Sequence, residues 1–140
     1  MARILVAEDD TGVRLLVARA LRLEGHDVVL AEDGEMAVDI LAEENGAFDL
    51  LLSDIRMPGM TGIELAHAAH ATFPELPILL MTGYAEQASM RSQFLGERMQ
   101  LLVKPFGTEQ LLAKVRQVLD IADEADMPDA ADAPGASAVG

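Results

Sequence analysis

Residues 3–10 read Arg3-Ile4-Leu5-Val6-Ala7-Glu8-Asp9-Asp10, a short apolar run that ends in three consecutive acids. Aliphatic and β-branched side chains dominate residues 3–7, which predicts a strand. The run does not alternate between apolar and polar residues, so we expect both faces of this strand to be buried, as in a parallel sheet. A helix should follow, because apolar residues then recur at the spacing of one helix face, at Val13, Leu16, Val17, Ala20 and Leu21.

The same alternation of strand and helix continues along the chain. Four further apolar runs predict strands, at residues 27–31, 48–53, 78–81 and 101–103. Helical spacing of apolar residues predicts helices between these strands and after the last one, with the weakest pattern at residues 86–95. Five strands that alternate with five helices imply right-handed crossovers and an α/β fold, in which helices cover both faces of a five-stranded parallel sheet.

The composition changes after about Ile121, where the chain consists mainly of Ala, Asp, Pro and Gly without apolar periodicity. We therefore expect one folded domain at residues 1–121, a size that can bury its own core, and a disordered acidic tail at residues 122–140. The formal net charge is −14, and the tail contributes five of the negative charges. This charge disfavours binding to nucleic acid.

Two absences from the sequence limit the function further. The chain has no cysteine, which excludes disulfides, thiolate metal sites and cysteine nucleophiles. It shows neither a signal peptide at its start nor an apolar stretch that approaches the ~18–20 residues of a membrane span. We expect a cytoplasmic protein that does not associate with a membrane.

Polar side chains follow four of the predicted strands. Glu8-Asp9-Asp10 follows the first strand, Asp54 the third, Thr82 the fourth and Lys104 the fifth. The ligand site of an open α/β sheet lies at the carboxyl ends of its strands, so we expect these groups to meet at one edge. Carboxylates this close would repel one another, and a hard cation such as Mg²⁺ would relieve the repulsion. Each group alone has a structural explanation, such as helix capping by Asp10, but the full set favours a ligand-binding site at this edge.

Four segments carry a resemblance to a known family, at residues 4–10, 51–62, 81–84 and 103–106. The most specific parts are Asp54-Ile55-Arg56-Met57-Pro58, Met81-Thr82-Gly83 and Lys104-Pro105. With that spacing, residues 3–121 resemble the CheY-like receiver domains of two-component response regulators. The resemblance implies a flavodoxin-like (βα)5 fold with strand order 2-1-3-4-5, and a cis peptide bond before Pro105.

The resemblance assigns Asp54 as the phosphoacceptor, which takes a phosphoryl group from a histidine kinase or a histidine phosphotransfer protein. It implies that Glu8, Asp9 and Asp54 hold Mg²⁺ together with the backbone carbonyl of Arg56. Asp9 and Asp10 could serve as the first two ligands instead. We favour Glu8 and Asp9, because they directly follow the apolar strand and leave Asp10 to start the helix. The protein would then not be an enzyme, except that it would catalyse its own phosphorylation and dephosphorylation.

The remaining site residues would act on the phosphoryl group itself. By resemblance, Lys104 contacts the phosphoryl oxygens, and Thr82 donates a hydrogen bond to the phosphate and moves toward it. Many receivers carry an aromatic switch residue three positions before the lysine. Leu101 occupies that position here, and Tyr84 is a candidate substitute. Tyr84 and Arg56 stand at the two positions that flank the phosphoryl group, where they would tune its hydrolysis.

The chain after the last predicted helix is too short and too acidic for a DNA-binding domain, so we expect a stand-alone receiver whose output is protein binding. By resemblance, the effector surface is the face formed by the predicted fourth helix, the fifth strand and the last helix. The opening residues and Met81-Thr82-Gly83-Tyr84 also resemble the CpdR-type receivers of alphaproteobacteria, which are phosphorylation-controlled adaptors for an ATP-dependent protease. The alternative is a phosphorelay intermediate that passes its phosphoryl group to a histidine phosphotransfer protein.

Three other interpretations fit the residues less well. An aspartate-nucleophile phosphatase would carry its nucleophile in an Asp-x-Asp motif after the first strand, whereas Asp54 follows the third. A flavodoxin-like electron carrier would need a phosphate loop rich in Ser, Thr and Gly after the first strand, together with stacking aromatic residues, and Asp9-Asp10-Thr11-Gly12 supplies neither. His67 and His70 could form a metal pair, but their spacing from Leu65 turns them away from the core, and we interpret them as exposed.

Overall fold

A parallel sheet forms the centre of the protein. In the computed structural model, which describes residues 2–83 and 99–126, its strands are β1 (Arg3–Ala7), β2 (Asp27–Ala31), β3 (Leu50–Asp54), β4 (Ile78–Thr82) and β5 (Met99–Val103). The helices within these residues are α1 (Thr11–Leu23), α2 (Gly34–Glu43), α3 (Gly62–Thr72) and α4 (Thr108–Asp126). The helix predicted at residues 86–95 lies outside the described residues.

The strands lie in the order β2-β1-β3-β4-β5, and all neighbouring strands are parallel. This arrangement confirms the predicted α/β fold and the strand order 2-1-3-4-5. β3 and β4 are buried along their whole length, and residues 4–7 of β1 are fully buried. Central strands covered on both faces have apolar sequences without alternation, as these strands do.

Two hydrophobic cores lie on opposite faces of the sheet. Side chains along a strand point to alternate faces. Leu5 and Ala7 of β1 therefore belong to a core shared with α2 and α3. Ile4 and Val6 belong to the other core, which is shared with α1 and α4. The sheet is thus the middle layer of three, and only its strand ends are accessible for chemistry.

One member of the apolar face predicted for α1, Leu16, is not part of the core. Leu16 is 63% exposed, whereas Ala18 is fully buried. Successive residues of a helix are rotated by about 100°, and the buried stripe of α1 is centred on Val17 and Leu21. Leu16 therefore lies at the flank of the stripe. The spacing located a helix face but did not locate its centre.

Two predicted boundaries also shift. α4 continues to Asp126, five residues beyond the predicted end of the domain at Ile121. Residues 122–126 contain only Ala, Asp and Glu, and the first proline after them is Pro128, so no helix breaker stands at Ile121. Residues 127–140 lie outside the described residues, and their disorder stays a prediction. β3 begins at Leu50 and not at residue 48, and its last residue is Asp54.

The helices that follow β1, β2 and β3 begin with side-chain caps at the same edge of the sheet. Asp10 Oδ1 accepts a hydrogen bond from the backbone N–H of Val13 at 2.9 Å, and Asp33 caps α2 in the same way. Thr61 and Glu64 form a reciprocal capping box at the start of α3. These caps satisfy N–H groups that a helix cannot pair internally, and they fix where each loop joins its helix.

Gly62 lets the start of α3 approach the end of β3 very closely, and we expect Gly62→Ala to disrupt that junction. A Cβ atom at Gly62 would overlap the carbonyl oxygen of Asp54 and lie 2.8 Å from the Cα of Ile55. Backbone atoms cannot rotate away, so the free energy of unfolding should fall by about 3 kcal/mol or more.

Urea denaturation of the wild type and of Gly62→Ala measures this loss. Gly107→Ala is the matched control, because the nearest atom to a Cβ at Gly107 is the side-chain Oε1 of Gln110 at 4.0 Å. Equal losses in the two variants would contradict the close approach at Gly62.

Candidate functional site

Three carboxylates meet at the carboxyl edge of the sheet. β1 and β3 are aligned so that Ala7 pairs with Ser53, and Glu8 therefore follows β1 beside Asp54. Glu8, Asp9 and Asp54 each offer one oxygen, and these oxygens lie within 4.8 Å of one another. Glu8 and Asp54 are buried, with 1% and 6% exposure, while Asp9 is exposed. The cluster thus combines two buried carboxylates, of Glu8 and Asp54, with the exposed carboxylate of Asp9.

The structure separates Asp10 from this cluster. The carboxylate of Asp10 caps α1 through Val13, and Asp10 is not a member of the group of three. Its backbone N–H donates to Oε2 of Glu8 at 3.2 Å. This arrangement favours Glu8 and Asp9, rather than Asp9 and Asp10, as partners of Asp54.

A negative charge on Glu8 is unfavourable in this cluster. Burial, together with the nearby charge of Asp54, raises the pKa of Glu8 to about 8. Its Oε1 atom is buried and has no hydrogen-bond partner. A buried carboxylate oxygen without a partner is unfavourable, and a bound cation would supply one. Three clustered carboxylates match the oxygen ligands that Mg²⁺ prefers, so these residues fit a magnesium site.

Lys104 brings a positive charge to the same edge. Its Nζ atom lies 3.1 Å from Oδ1 of Asp54, and the Lys104–Pro105 peptide bond is cis, as the resemblance implies. The backbone N–H of Lys104 donates to the carbonyl oxygen of Thr82 at 2.7 Å. The Thr82 hydroxyl donates to the carbonyl oxygen of Gly83 at 3.1 Å, and Thr82 is 1% exposed. β4 and β5 thus present a hydroxyl and an ammonium group next to β3.

The other predicted site residues lie outside the group of three acids or outside the described residues. Arg56 lies exposed in the loop after β3, and its role as a carbonyl ligand stays a prediction. Leu101 is half-buried and packs against the core on the side of α2 and α3. Tyr84 lies outside the described residues. Among the described residues, His67 and His70 do not belong to the acidic group, and His67 is exposed.

Two residues that contact the site were not predicted from the sequence. Ser53 is fully buried, and its hydroxyl donates to the carbonyl oxygen of Asp54 at 2.8 Å. Arg14 donates from Nη1 to the carbonyl oxygen of Glu8 at 2.8 Å. A polar residue inside an apolar strand was the available signal for Ser53. An arginine close to the apolar stripe of α1, just after the acids, was the signal for Arg14.

A family model for the response regulator receiver domain matches residues 4–116. The chain belongs to this receiver family. The receiver is therefore a component of two-component systems. No helix in the described part of the receiver is long and apolar enough to cross a membrane.

Two curated relatives resemble the receiver over most of its length. It is 39% identical over 119 residues to the response regulator receiver protein CpdR of Brucella abortus, and the match covers 85% of this chain and 98% of CpdR. It is 34% identical over 122 residues to the sensor kinase CckA of Brucella abortus, where the match covers 87% of this chain and 13% of the kinase. The receiver thus spans nearly all of CpdR and a small part of the kinase.

A solved structure supports the same fold. The crystal structure of the receiver domain from the hybrid histidine kinase CckA superposes with a TM-score of 0.70 at 38% identity. The superposition covers 84% of this chain and 98% of that domain. The five parallel strands in the order 2-1-3-4-5 are those of the flavodoxin-like receiver fold.

The raised pKa of Glu8 makes the stability of the metal-free protein depend on pH. The folded protein keeps a proton on Glu8 up to about pH 8, whereas the unfolded chain loses it near the ordinary value of 4.5. The stabilisation by this proton is complete below pH 4.5 and is lost as the pH rises through 8. Within this window the contribution of Glu8 should fall by about 1.4 kcal/mol per pH unit.

Urea denaturation in EDTA, at intervals between pH 5 and pH 8, measures this effect as the difference between wild type and Glu8→Gln. The glutamine cannot ionise, so we expect the variant to gain stability relative to the wild type as the pH rises. Glu43→Gln, at an exposed position of α2, controls for the loss of a carboxylate. A difference that stays constant across the window for Glu8→Gln would refute the effect.

Proposed function

We propose that this receiver accepts a phosphoryl group on Asp54 from the phosphohistidine of a kinase or of a phosphotransfer protein, with Mg²⁺ present. The observation that carries the proposal is the position of the Asp54 carboxylate. It lies between two other carboxylates and the ammonium group of Lys104, whose Nζ is 3.1 Å away. This combination suits a carboxylate that must gain a dianionic group beside a divalent cation.

The transfer itself needs few protein groups. An Asp54 oxygen attacks phosphorus, the new P–O bond forms as the P–N bond of phosphohistidine breaks, and the electron pair returns to the imidazole. Mg²⁺ would neutralise the charge on the phosphoryl oxygens, and Glu8 and Asp9 would hold it together with Asp54 and the carbonyl of Arg56. Lys104 would leave its contact with Asp54 Oδ1 and bind a phosphoryl oxygen as a point charge.

The proposed switch lies at the ends of β4 and β5. The Thr82 hydroxyl would exchange its bond to the Gly83 carbonyl for a bond to the phosphoryl group. Lys104 and Thr82 are joined by a backbone hydrogen bond, so movements at the two strand ends are linked. Leu101 stands where many receivers carry an aromatic residue, and the switch would therefore work without an aromatic ring at that position.

We expect acetyl phosphate to label the wild type in the presence of Mg²⁺ and to leave Asp54→Ala unlabelled. Among the described residues, Asp54 is the buried acid that lies both in the group of three carboxylates and within 3.1 Å of the Lys104 ammonium. Asp39→Ala removes an exposed acid of α2 and should be labelled like the wild type. Phosphate-affinity electrophoresis or intact-mass measurement detects the label. Full labelling in EDTA, or of Asp54→Ala, would remove the basis of the proposal.

The proposed output is control of a protein partner, through the face that contains β5 and α4. Lys114 of α4 donates from Nζ to Oε1 of Gln100 on β5 at 3.4 Å, so side chains of the two elements are in contact on this face. The similarity to CpdR supports this output. The resemblance to CpdR-type receivers makes an ATP-dependent protease the candidate partner. The helix predicted at residues 86–95 would complete the face.

A second candidate function is phosphorelay, in which Asp54 passes its phosphoryl group to a histidine phosphotransfer protein. The similarity to the sensor kinase CckA and to the receiver domain of the hybrid kinase CckA favours it, because those receivers belong to kinases. In this role, the output of the receiver would be transfer of its phosphoryl group to the phosphotransfer protein, and it would not need to bind an effector.

Binding of the protease to immobilised receiver distinguishes the two functions. We expect beryllofluoride, which mimics the phosphoryl group, to change the amount of protease retained by the wild type and to leave the amount retained by Asp54→Ala unchanged. The second arm mixes phosphorylated receiver with a histidine phosphotransfer protein. Rapid transfer to that protein, combined with equal protease binding in both states, would reject the adaptor function in favour of relay.

A further inference from the structure

Arg14 connects the start of α1 to the loop that carries Glu8 and Asp9. Its Nη1 donates to the backbone carbonyl oxygen of Glu8 at 2.8 Å and reaches the carbonyl oxygen of Asp9 at 3.5 Å. Its Nη2 donates to Oγ1 of Thr11 at 3.3 Å. These contacts hold the backbone of the two acids, while their carboxylate oxygens approach Asp54.

Two further contacts anchor the ends of the loop. The backbone N–H of Glu8 donates to the carbonyl oxygen of Ala31 at 3.1 Å, which continues the β1–β2 pairing by one residue. Asp10 fixes the other end as the cap of α1, through Val13. Between these two anchors, the guanidinium of Arg14 is the side chain that binds successive carbonyl groups of the acids.

We propose that Arg14 is a positioning residue for Mg²⁺: it sets the backbone of Glu8 and Asp9 so that their carboxylates fit the coordination geometry of the ion. The inference rests on the proposed function, in which these two acids hold Mg²⁺. The planar guanidinium donates in several fixed directions at once, whereas a lysine ammonium is a single point charge on a flexible stem. Mg²⁺ demands near-ideal octahedral geometry, so a small displacement of either carboxylate weakens its binding.

The positive charge of Arg14 lowers the affinity of the site for a cation, whereas its positioning of the two acids raises the affinity for Mg²⁺. A guanidinium near the carboxylates repels a cation, and its removal alone would strengthen the binding of any divalent ion. Ca²⁺ has the same charge as Mg²⁺ but accepts flexible geometry. A change in charge therefore shifts the affinities for the two ions together, whereas a loss of positioning weakens Mg²⁺ more than Ca²⁺.

Isothermal titration calorimetry of the full chain with Mg²⁺ and with Ca²⁺ tests the proposal, at a temperature where circular dichroism shows every variant folded. For Arg14→Met and Arg14→Lys we expect the Kd for Mg²⁺ to rise roughly 10-fold or more, the size of effect typical of groups that orient metal ligands. The Kd for Ca²⁺ should rise several-fold less. Arg19→Met, at an exposed position of the same helix, should leave both values unchanged.

Thr11→Val provides a second variant, because it removes the acceptor of Nη2 and keeps Arg14 itself. We expect it to change the ratio of the two Kd values in the same direction by a smaller factor. Arg14 variants that bind both ions like the wild type, or that change both affinities in parallel, overturn the inference alone. A wild type that does not bind Mg²⁺ overturns the proposed function and the inference with it.

Discussion

The mutual repulsion of Glu8, Asp9 and Asp54 is the constraint on which the arrangement of the whole site depends. Two of these acids are buried, and their oxygens lie within 4.8 Å of one another at the end of an apolar sheet. Two contacts offset this cost: Lys104 pairs with Asp54, and the backbone N–H of Asp10 donates to Glu8. Burial and the charge of Asp54 raise the pKa of Glu8 to about 8, so Glu8 keeps a proton below that pH. None of these gives Oε1 of Glu8 a partner, and this remaining cost is what a cation would remove.

The fold tolerates such a cluster because the residues that stabilise it lie on the faces of the sheet, away from the acids at the strand ends. Both faces of the sheet are covered, so apolar burial is supplied by strands and helices away from the strand ends. The carboxyl edge is then built largely from backbone contacts. Ser53 donates to the carbonyl of Asp54, and the absence of a side chain at Gly62 allows α3 to begin against the same carbonyl. The phosphoacceptor proposed here therefore projects from a backbone position that has almost no freedom.

Much of this arrangement could be predicted from the sequence, and the failures have physical reasons. Parallel strands place their carboxyl ends together, so Asp54, Thr82 and Lys104 could be brought to one edge by pattern alone. The strand order came from resemblance, because periodicity does not specify which strands are neighbours. Leu16 was misplaced because helical spacing leaves the centre of the buried stripe undetermined. Arg14 was missed because its partners among the acids are backbone carbonyls, whose directions depend on the conformation of the loop.

The loop after β1 is held by more contacts than the side chains at the ends of β4 and β5. This difference favours the ends of β4 and β5 as the part of the site that responds to phosphorylation. On the β1 side, the cap by Asp10 and the contacts of Arg14 tie the loop to α1. On the other side, the Thr82 hydroxyl donates to the carbonyl group of the adjacent Gly83, and Lys104 extends a flexible amine to Asp54. A phosphoryl group on Asp54 would move negative charge outward from the carboxylate, and these two groups could follow it by exchanging the contacts given above for contacts to the phosphoryl oxygens. The ends of β4 and β5 would therefore respond first, while the metal ligands on β1 keep their positions.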